Sequence, residues 1–282
     1  MPVEEEDFAK NKLTDILAFR LIYPDRKDTG GPTKYPMLNA LMSDIHGNRQ
    51  AFDACIQHAE ARNVGRYIFL GDYVGYGADP EWVVRKVRSY VDGGALAVVG
   101  NHDRAISDPS ISMNRNAELA IEWTRTELSN ESSRFLDLLP MTEEEAGRLY
   151  VHADASAPSR FHYVLDAEAA RHSLNSTHAH ATFCGHVHAP ALYSLSVTAK
   201  LTSFQPMPSV AIPILKQRRW VVVVGSVGQP RDGHSAASYC TFDDQTSEVT
   251  YHRVPYDVET AAARIRAAGL PHNLADRLFR GR

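Results

Sequence analysis

Apolar runs that stop abruptly at polar, ligand-type side chains constrain this chain more than any other feature. Strand-like runs fall at residues 37–43, 66–71, 95–100, 148–152, 181–185, 191–195 and 220–225. They are too short for helices and are bounded by turn residues. Two later segments, 237–242 and 248–254, alternate apolar with polar residues and predict a hairpin turning at Asp243-Asp244-Gln245. Helical patterns separate the early runs. Residues 49–62 place Phe52, Cys55, Ile56 and Ala59 on one face, residues 81–90 repeat the pattern, and 116–128 follow with Leu119, Ile121, Trp123 and Leu128. The front half therefore reads βαβα and the back half is strand-rich. That order predicts an α/β fold of layered sheets with helices outside, with ligand sites at the C-terminal ends of parallel strands. A chain of 282 residues that is 44% apolar can bury such a core as one domain.

The polar residues that stop these runs are the candidates for chemistry. Ser43-Asp44-Ile45-His46-Gly47-Asn48 follows the first run, with Asp and His two apart on a turn where Gly47 lets the backbone approach closely. Alone it reads as a polar turn capping the next helix. Gly71-Asp72-Tyr73-Val74-Gly75-Tyr76-Gly77 follows the second run and Gly100-Asn101-His102-Asp103 the third. The amide oxygen of Asn101 can ligate a cation without adding charge, and His102-Asp103 offers an imidazole with an acidic neighbour. His152 ends the fourth run, and Gly185-His186-Val187-His188 ends the fifth, where Gly185 permits a turn. The second His-x-His, His178 and His180, precedes its strand and reads as a solvated helix end or loop.

In order, the strand ends offer Asp-x-His, Gly-Asp, Gly-Asn-His, His and Gly-His-x-His. In this the chain resembles the calcineurin-like metallophosphoesterases from about residue 37 to residue 254. The resemblance implies a four-layer α/β/β/α sandwich of two mixed sheets flanked by helices. It implies that Asp44, His46 and His188 bind a first metal, that Asn101, His152 and His186 bind a second, and that Asp72 bridges them. A shell of nitrogen and oxygen without thiolate fits two divalent transition-metal ions (Mn, Fe, Co, Ni or Zn) better than Ca. Two such cations sharing a carboxylate generate a hydroxide nucleophile near neutral pH and hold phosphate oxygens. His102 is then left to protonate the departing alkoxide or to stabilise the transition state, and Asp103 either orients its imidazole or caps a helix.

The Gly225-Ser226-Val227-Gly228-Gln229-Pro230-Arg231-Asp232 segment looks like that of a bacterial branch of small phosphodiesterases that includes diadenosine-tetraphosphatase-like enzymes. Glycine-flanked amides and Arg231 can receive a phosphate there; the plain alternative pairs Arg231 with Asp232. Ser226, Asn48 and Tyr76 complete the candidate substrate contacts, with Tyr73 and Tyr76 open to stacking on a base or to packing at the rim. One departure bears on substrate. Protein phosphatases of the superfamily carry Gly-Asp-x-x-Asp-Arg-Gly at the second motif, whereas Gly75 and Tyr76 stand at the fifth and sixth positions here. Expected substrates are therefore a small phosphodiester, phosphomonoester or nucleotide phosphoanhydride. A Ser/Thr-type protein phosphatase and a non-catalytic metal-binding scaffold of the same fold are the alternatives.

The remaining expectations concern organisation and partners. Residues 1–36 read as a helical extension (7–21) and a Gly- and Pro-containing linker, serving for docking or as a homo-oligomer contact. Residues 37–254 form the catalytic domain, 201–217 a surface loop or lid, and 255–282 amphipathic helices with a basic face. A net charge of -4 with no Lys/Arg block nominates no nucleic acid. An acidic start and no bilayer-length apolar run suggest no membrane partner, and Cys55, Cys184 and Cys240 are odd in number and scattered. The expected setting is the reducing cytoplasm.

Overall fold

The computed structural model describes residues 37–282. The helix and oligomer contact expected within 1–36 lie outside the described residues.

Two six-stranded mixed sheets face each other. The first has the order β3 (Leu96–Ala97), β2 (Arg66–Phe69), β1 (Leu38–Met42), β11 (Ala237–Asp243), β12 (Glu248–Val254), β9 (Ala211–Pro213). The second runs β4 (Thr142–Glu145), β5 (Arg148–Val151), β6 (Ala181–Cys184), β10 (Arg218–Val223), β7 (Ala191–Ser196), β8 (Leu201–Phe204). Each contains one parallel trio, β1-β2-β3 and β5-β6-β10. The expected hairpin is β11-β12, with Asp243 paired to Glu248.

Both faces of the central strands are buried, which the period of two along them makes possible. In β1, Leu41 joins Ile68, Leu70, Phe183, Val222 and Phe242 between the sheets, whereas Ala40 and Met42 face the helices with Phe52, Phe69 and Val83. In β10, Trp220 and Val222 point between the sheets, while Val221 and Val223 meet Ala170 and Leu174 of helix Ala167–Asn175. Each large apolar side chain so buried contributes about 1.5–3 kcal/mol. Helices Arg49–Glu60 and Pro80–Asp92 cover the first sheet. The layers are thus helix, sheet, sheet, helix.

One expectation changes. Residues 201–217 contain strands β8 and β9, each an edge strand of a different sheet, rather than a free loop or lid. Edge strands tolerate the prolines that break the periodic pattern there, because one side of an edge strand needs no ladder hydrogen bond. The helix Asn130–Leu138, capped by the Ser129 hydroxyl, and the hairpin β4-β5 also form. At the C-terminus, helices Val258–Ala267 and His272–Arg280 bury Ala261, Ile265, Leu274 and Leu278, as their spacing predicts.

Candidate metal centre

Both parallel trios deliver their C-terminal ends to one place. Asp44 and His46 follow β1, Asp72 follows β2, Asn101 and His102 follow β3, His152 follows β5, His186 and His188 follow β6, and Arg231 follows β10. The loops are tied to each other through backbone hydrogen bonds: the N–H of Asp44 donates to Gly71 O at 3.0 Å, that of His46 to Asp72 O at 2.9 Å, and that of Gly185 to His152 O at 2.9 Å. Asp44, His46, Asp72, Tyr76, His186 and His188 all have positive φ, between 49° and 65°. Non-glycine residues in this region cost on the order of 1 kcal/mol each, so the fold holds a strained constellation here. The two histidines of Gly-His-x-His make their own turn; Gly185 is needed for contact instead, since a Cβ there would collide with Ser43 Oγ.

The side chains form two groups that share Asp72. Asp44, His46, Asp72 and His188 make one, and Asp72, His152 and His186 make the other. Asp72 Oδ2 lies 3.6 Å from His46 Nε2 and 3.4 Å from His152 Nε2, and so stands between the groups. His188 Nε2 is 3.4 Å from Asp44 Oδ1. Asn101 Oδ1 lies 3.2 Å from His152 Nε2, which places it in the second group.

Carbonyl partners fix the tautomers. His46 Nδ1 donates to Val74 O at 2.9 Å, His188 Nδ1 to Gln229 O at 2.7 Å and His152 Nδ1 to Leu70 O at 2.7 Å. Burial, with nearby positive groups, pulls His46 and His188 well below the ordinary histidine range, and burial and His152 bring His186 to about 3. Neutral rings with protonated Nδ1 leave Nε2 of His46 and His188 bare, yet these atoms face each other at 3.1 Å. Two lone pairs at that distance repel unless a proton or cation lies between them. The pair His152 Nε2 and His186 Nδ1 repeats the arrangement at 3.1 Å. There Asp72 supplies the compensation: burial opposes charging of His152, but the Asp72 carboxylate outweighs it and lifts His152 to about 9. Asp72 itself stays well below the carboxylate range, because His152, His102 and His46 together overcome burial. Asp44 rises to about 7, chiefly by burial. Two carboxylates and four imidazoles whose nitrogens face each other in pairs at 3.1 Å are the donor set of a divalent-metal site.

The sequence profile of the calcineurin-like phosphoesterase superfamily domain matches residues 37–247. The chain belongs to that superfamily. It is similar to an uncharacterized protein of Methanocaldococcus jannaschii, 34% identical over 249 residues that span 86% of this chain and 98% of that one. Among solved structures it resembles a metallophosphoesterase from Sphaerobacter thermophilus, 30% identical with a TM-score of 0.77, covering 88% of this chain and all (100%) of that one. A hypothetical protein from Pyrococcus horikoshii shares the fold, at 19% identity and TM-score 0.69 over 87% of this chain and 98% of that one. This superfamily is metal-dependent, and the two Asp/His groups can bind metals.

Around this phosphoesterase centre the other candidate residues divide. His102 belongs to it: its ring lies 4.7 Å from that of His46 and 4.5 Å from that of Tyr76, and its backbone N–H donates to Asp72 Oδ1 at 2.8 Å. Its Nδ1 sits against Gly75, where a Cβ would collide with it, so Nε2 is the edge left to face a ligand. Burial brings His102 to about 4, against the pull of Asp72, so the ring is a neutral N–H donor at neutral pH. Tyr76 packs on His46 and His102 and is buried, so it walls the site rather than stacking freely on a base. Tyr73 is a core residue whose hydroxyl donates to Val98 O.

Asp103 fills the second of its two expected roles: it does not orient the His102 ring but caps the helix Asn101–Arg104 by accepting the Gly100 N–H, and it also accepts those of Asp72, Tyr73 and Val74, which fixes the Asp72 loop. Two other expected roles are corrected. Asn48 is buried, caps helix Arg49–Glu60 through Ala51 N–H and donates to Gly228 O at 2.8 Å, leaving nothing for substrate. Ser226 is likewise buried; its hydroxyl donates to Asp44 O and accepts from Gln229 N–H, bracing one loop against the other. Both border glycines at strand ends, where bracing of the backbone and contact with a substrate leave the same trace in sequence.

Arg231 reaches the site, and its alternative partner is engaged elsewhere, since Asp232 pairs with Arg253. Its guanidinium carbon lies 5.7 Å from the Tyr76 ring, and its charge depresses His46, His102, His186 and His188. Two residues at the site went unnoticed in the sequence. Tyr163 stacks on His186 with ring centroids 4.0 Å apart, and Arg277, from the last helix, donates to Gln229 Oε1 at 3.0 Å. Neither ends a strand. The excluded His178 and His180 lie in a loop, with His180 bonded to Leu215 O.

Proposed function

We propose that this chain is a dinuclear-metal phosphoesterase that hydrolyses a small phosphodiester, phosphomonoester or nucleotide phosphoanhydride. The observation that carries this reading is the pair of imidazole groups, each with nitrogens facing at 3.1 Å, held on either side of one carboxylate, Asp72. Asp44, His46 and His188 would hold one ion, Asn101, His152 and His186 the other, with Asp72 shared. Mn, Fe, Co, Ni and Zn all suit such a shell. When bound, the two ions would lower the pKa of water and neutralise phosphoryl oxygens.

The chain's own residues do the rest. Asp72 offers Oδ2 to both groups while Oδ1 is held by the His102 N–H, so the shared carboxylate is fixed in one orientation. Asp103 grips the same loop by three amides and ties it to Gly100 by a fourth. The His102 Nε2 edge donates its proton to the leaving oxygen or to a phosphoryl oxygen, and an anionic ligand beside the ring favours its protonated form. Arg231 supplies positive charge at the rim. Gly75 and Tyr76 stand where a protein phosphatase of this superfamily has Asp and Arg, and Tyr76 is committed to packing on two imidazoles, which favours small substrates over phosphoproteins. The three cysteines are buried and unbridged, which suits a reducing cytoplasm.

A substrate panel under one metal condition tests this: bis(4-nitrophenyl) phosphate, diadenosine tetraphosphate, a cyclic nucleotide, a phosphoserine peptide and single-stranded DNA. The highest kcat/KM is expected on a small ester or anhydride. A phosphopeptide that outruns the rest refutes the substrate reading, and no turnover of any of them refutes the enzyme.

A further inference from the structure

Gln229 joins the metal centre to something the reaction at a single phosphorus does not require. Its backbone carbonyl accepts His188 Nδ1–H at 2.7 Å, and its side-chain Oε1 accepts from two guanidinium groups, Arg231 Nη2 and Arg277 Nη1, both at 3.0 Å. Two cations therefore converge on one neutral oxygen. Among the described residues no Asp or Glu carboxylate lies at ion-pair distance from either arginine: Asp232 pairs with Arg253, and Asp276, one position from Arg277, pairs with Arg266 at 2.8 Å. Arg277 Nε also donates to the main-chain oxygen of Arg282 at 2.7 Å, which leaves its other guanidinium nitrogens for Gln229 and a ligand. Burial and the charge of Arg231 together depress Arg277. Two more donors at the same spot have no acceptor, the Nε of Arg231 and the Nε2 of Gln229, the latter on a residue only 1% exposed. Buried donors gathered around like charges need an anion.

We propose that Arg231 and Arg277, held together by Gln229, form a second phosphate subsite beside the metal centre, so that the substrate carries a further phosphate next to the one that reacts. This rests on the phosphoesterase reading and narrows it to phosphoanhydrides of the nucleoside polyphosphate type. In the step so served, a water oxygen bonds to the reacting phosphorus and gives up a proton to solvent as the bond from that phosphorus to the bridging oxygen breaks. The departing phosphate takes the electron pair, and the charge that builds on it is held by the two planar guanidinium forks. Beyond Arg277 the basic surface continues. A cleft of about 700 Å³ there is lined by Arg115, Arg277, Arg280 and Arg282 against a single acid, Asp276, which pairs with Arg266.

The test uses the metal-reconstituted full chain with two substrates, thymidine 5′-(4-nitrophenyl) phosphate, which has a single phosphorus, and diadenosine tetraphosphate. Arg277→Met should lower kcat/KM on the tetraphosphate by roughly 10–100-fold, the cost of a lost charge-assisted contact, mainly through KM. Its loss on the single-phosphorus ester should be at least about tenfold smaller, and Arg277→Lys should recover part of the difference. Thermal melts report whether each variant folds. If the methionine variant does not, Arg277→Gln, which loses the charge but keeps a polar side chain, is read in the same way. Equal losses on both substrates would mean that Arg277 only clamps the last helix to the site, and the subsite is wrong. A wild type that cleaves the single-phosphorus ester but not the tetraphosphate overturns the subsite and leaves the phosphoesterase reading standing, whereas inactivity on both overturns the two together.

Discussion

The Asp44–His46–His188 half of the centre and the Asn101–His152–His186 half share Asp72, and both draw ligands from the two sheets, yet they are enclosed differently. In the first half all three residues are at most 2% exposed, and both imidazoles are locked by backbone carbonyls, Val74 O and Gln229 O. In the second, His152 is locked by Leu70 O, but Asn101 is partly exposed on the short helix Asn101–Arg104. His186 is held from outside by the ring of Tyr163, itself 47% exposed. Carbonyl-locked, buried ligands are preorganised and lose little entropy on binding; ligands at the mouth must be ordered when the ion arrives. The first half is the enclosed one, and the second half is the one more open to solvent.

The strongest blow to this picture is to the residue the halves share. Asp72→Asn should remove both ions and abolish turnover of every substrate, read by elemental analysis and by assay; retention of either ion at wild-type affinity would show that Asp72 belongs to one half only. Next in size, His102→Asn should lower turnover roughly 10²–10⁴-fold while both halves keep their metal. The loss should shrink for 4-nitrophenyl esters, because a good leaving group needs no proton. Equal losses on alkyl esters would place His102 on a phosphoryl oxygen instead.

The difference between the halves is exposed by mild chelation. His186→Ala should lose the ion of the open half and keep the enclosed one, and in the wild type the open half should empty first. Simultaneous loss would make the two halves equivalent. A gentler change is Tyr163→Ala. An aromatic stack is worth about 0.5–1.5 kcal/mol, so affinity in the open half should fall by roughly two- to tenfold, measured by metal titration, with the enclosed half unchanged.

Much of this was legible in the sequence because strand ends carry two signals at once: the apolar run sets the strand, and the residue that stops it marks the site. Asp44, His46, Asp72, Asn101, His152, His186 and His188 all lie at such ends, and all converge. Asn48, Ser226 and Asp103 stand at the same ends and serve the backbone, since a polar side chain beside a glycine can face either way. Tyr163 and Arg277 come from a loop and from a helix whose pattern announces only its buried face, so nothing local marks them. The edge strands β8 and β9 escaped because their exposed residues have no apolar alternation, and only pairing with β7 and β12 makes them strands.

Histidines outside the centre give the smallest expected effect and serve as its control. His252 is buried against His58 and Tyr239, bonded to Thr241 Oγ1 at 2.9 Å, and burial with nearby His58 and Arg62 lowers it to about 4. The unfolded chain takes up this proton near the ordinary histidine value of 6.5 and the folded chain only near 4. Between those values the unfolded state binds more protons, so stability falls as pH drops, by at most about 1.4 kcal/mol per pH unit. His252→Gln should flatten that part of the denaturation profile measured on metal-free protein; an unchanged slope would assign it to the imidazoles of the centre.

Metal stoichiometry tests the central claim most directly. Protein stripped by chelator and titrated with Mn²⁺ or Zn²⁺ in a calorimeter should bind about two ions per chain, in a tighter and a weaker step, as two ligand sets around one carboxylate require. Saturation at a single ion per chain, or no binding at all, would contradict it.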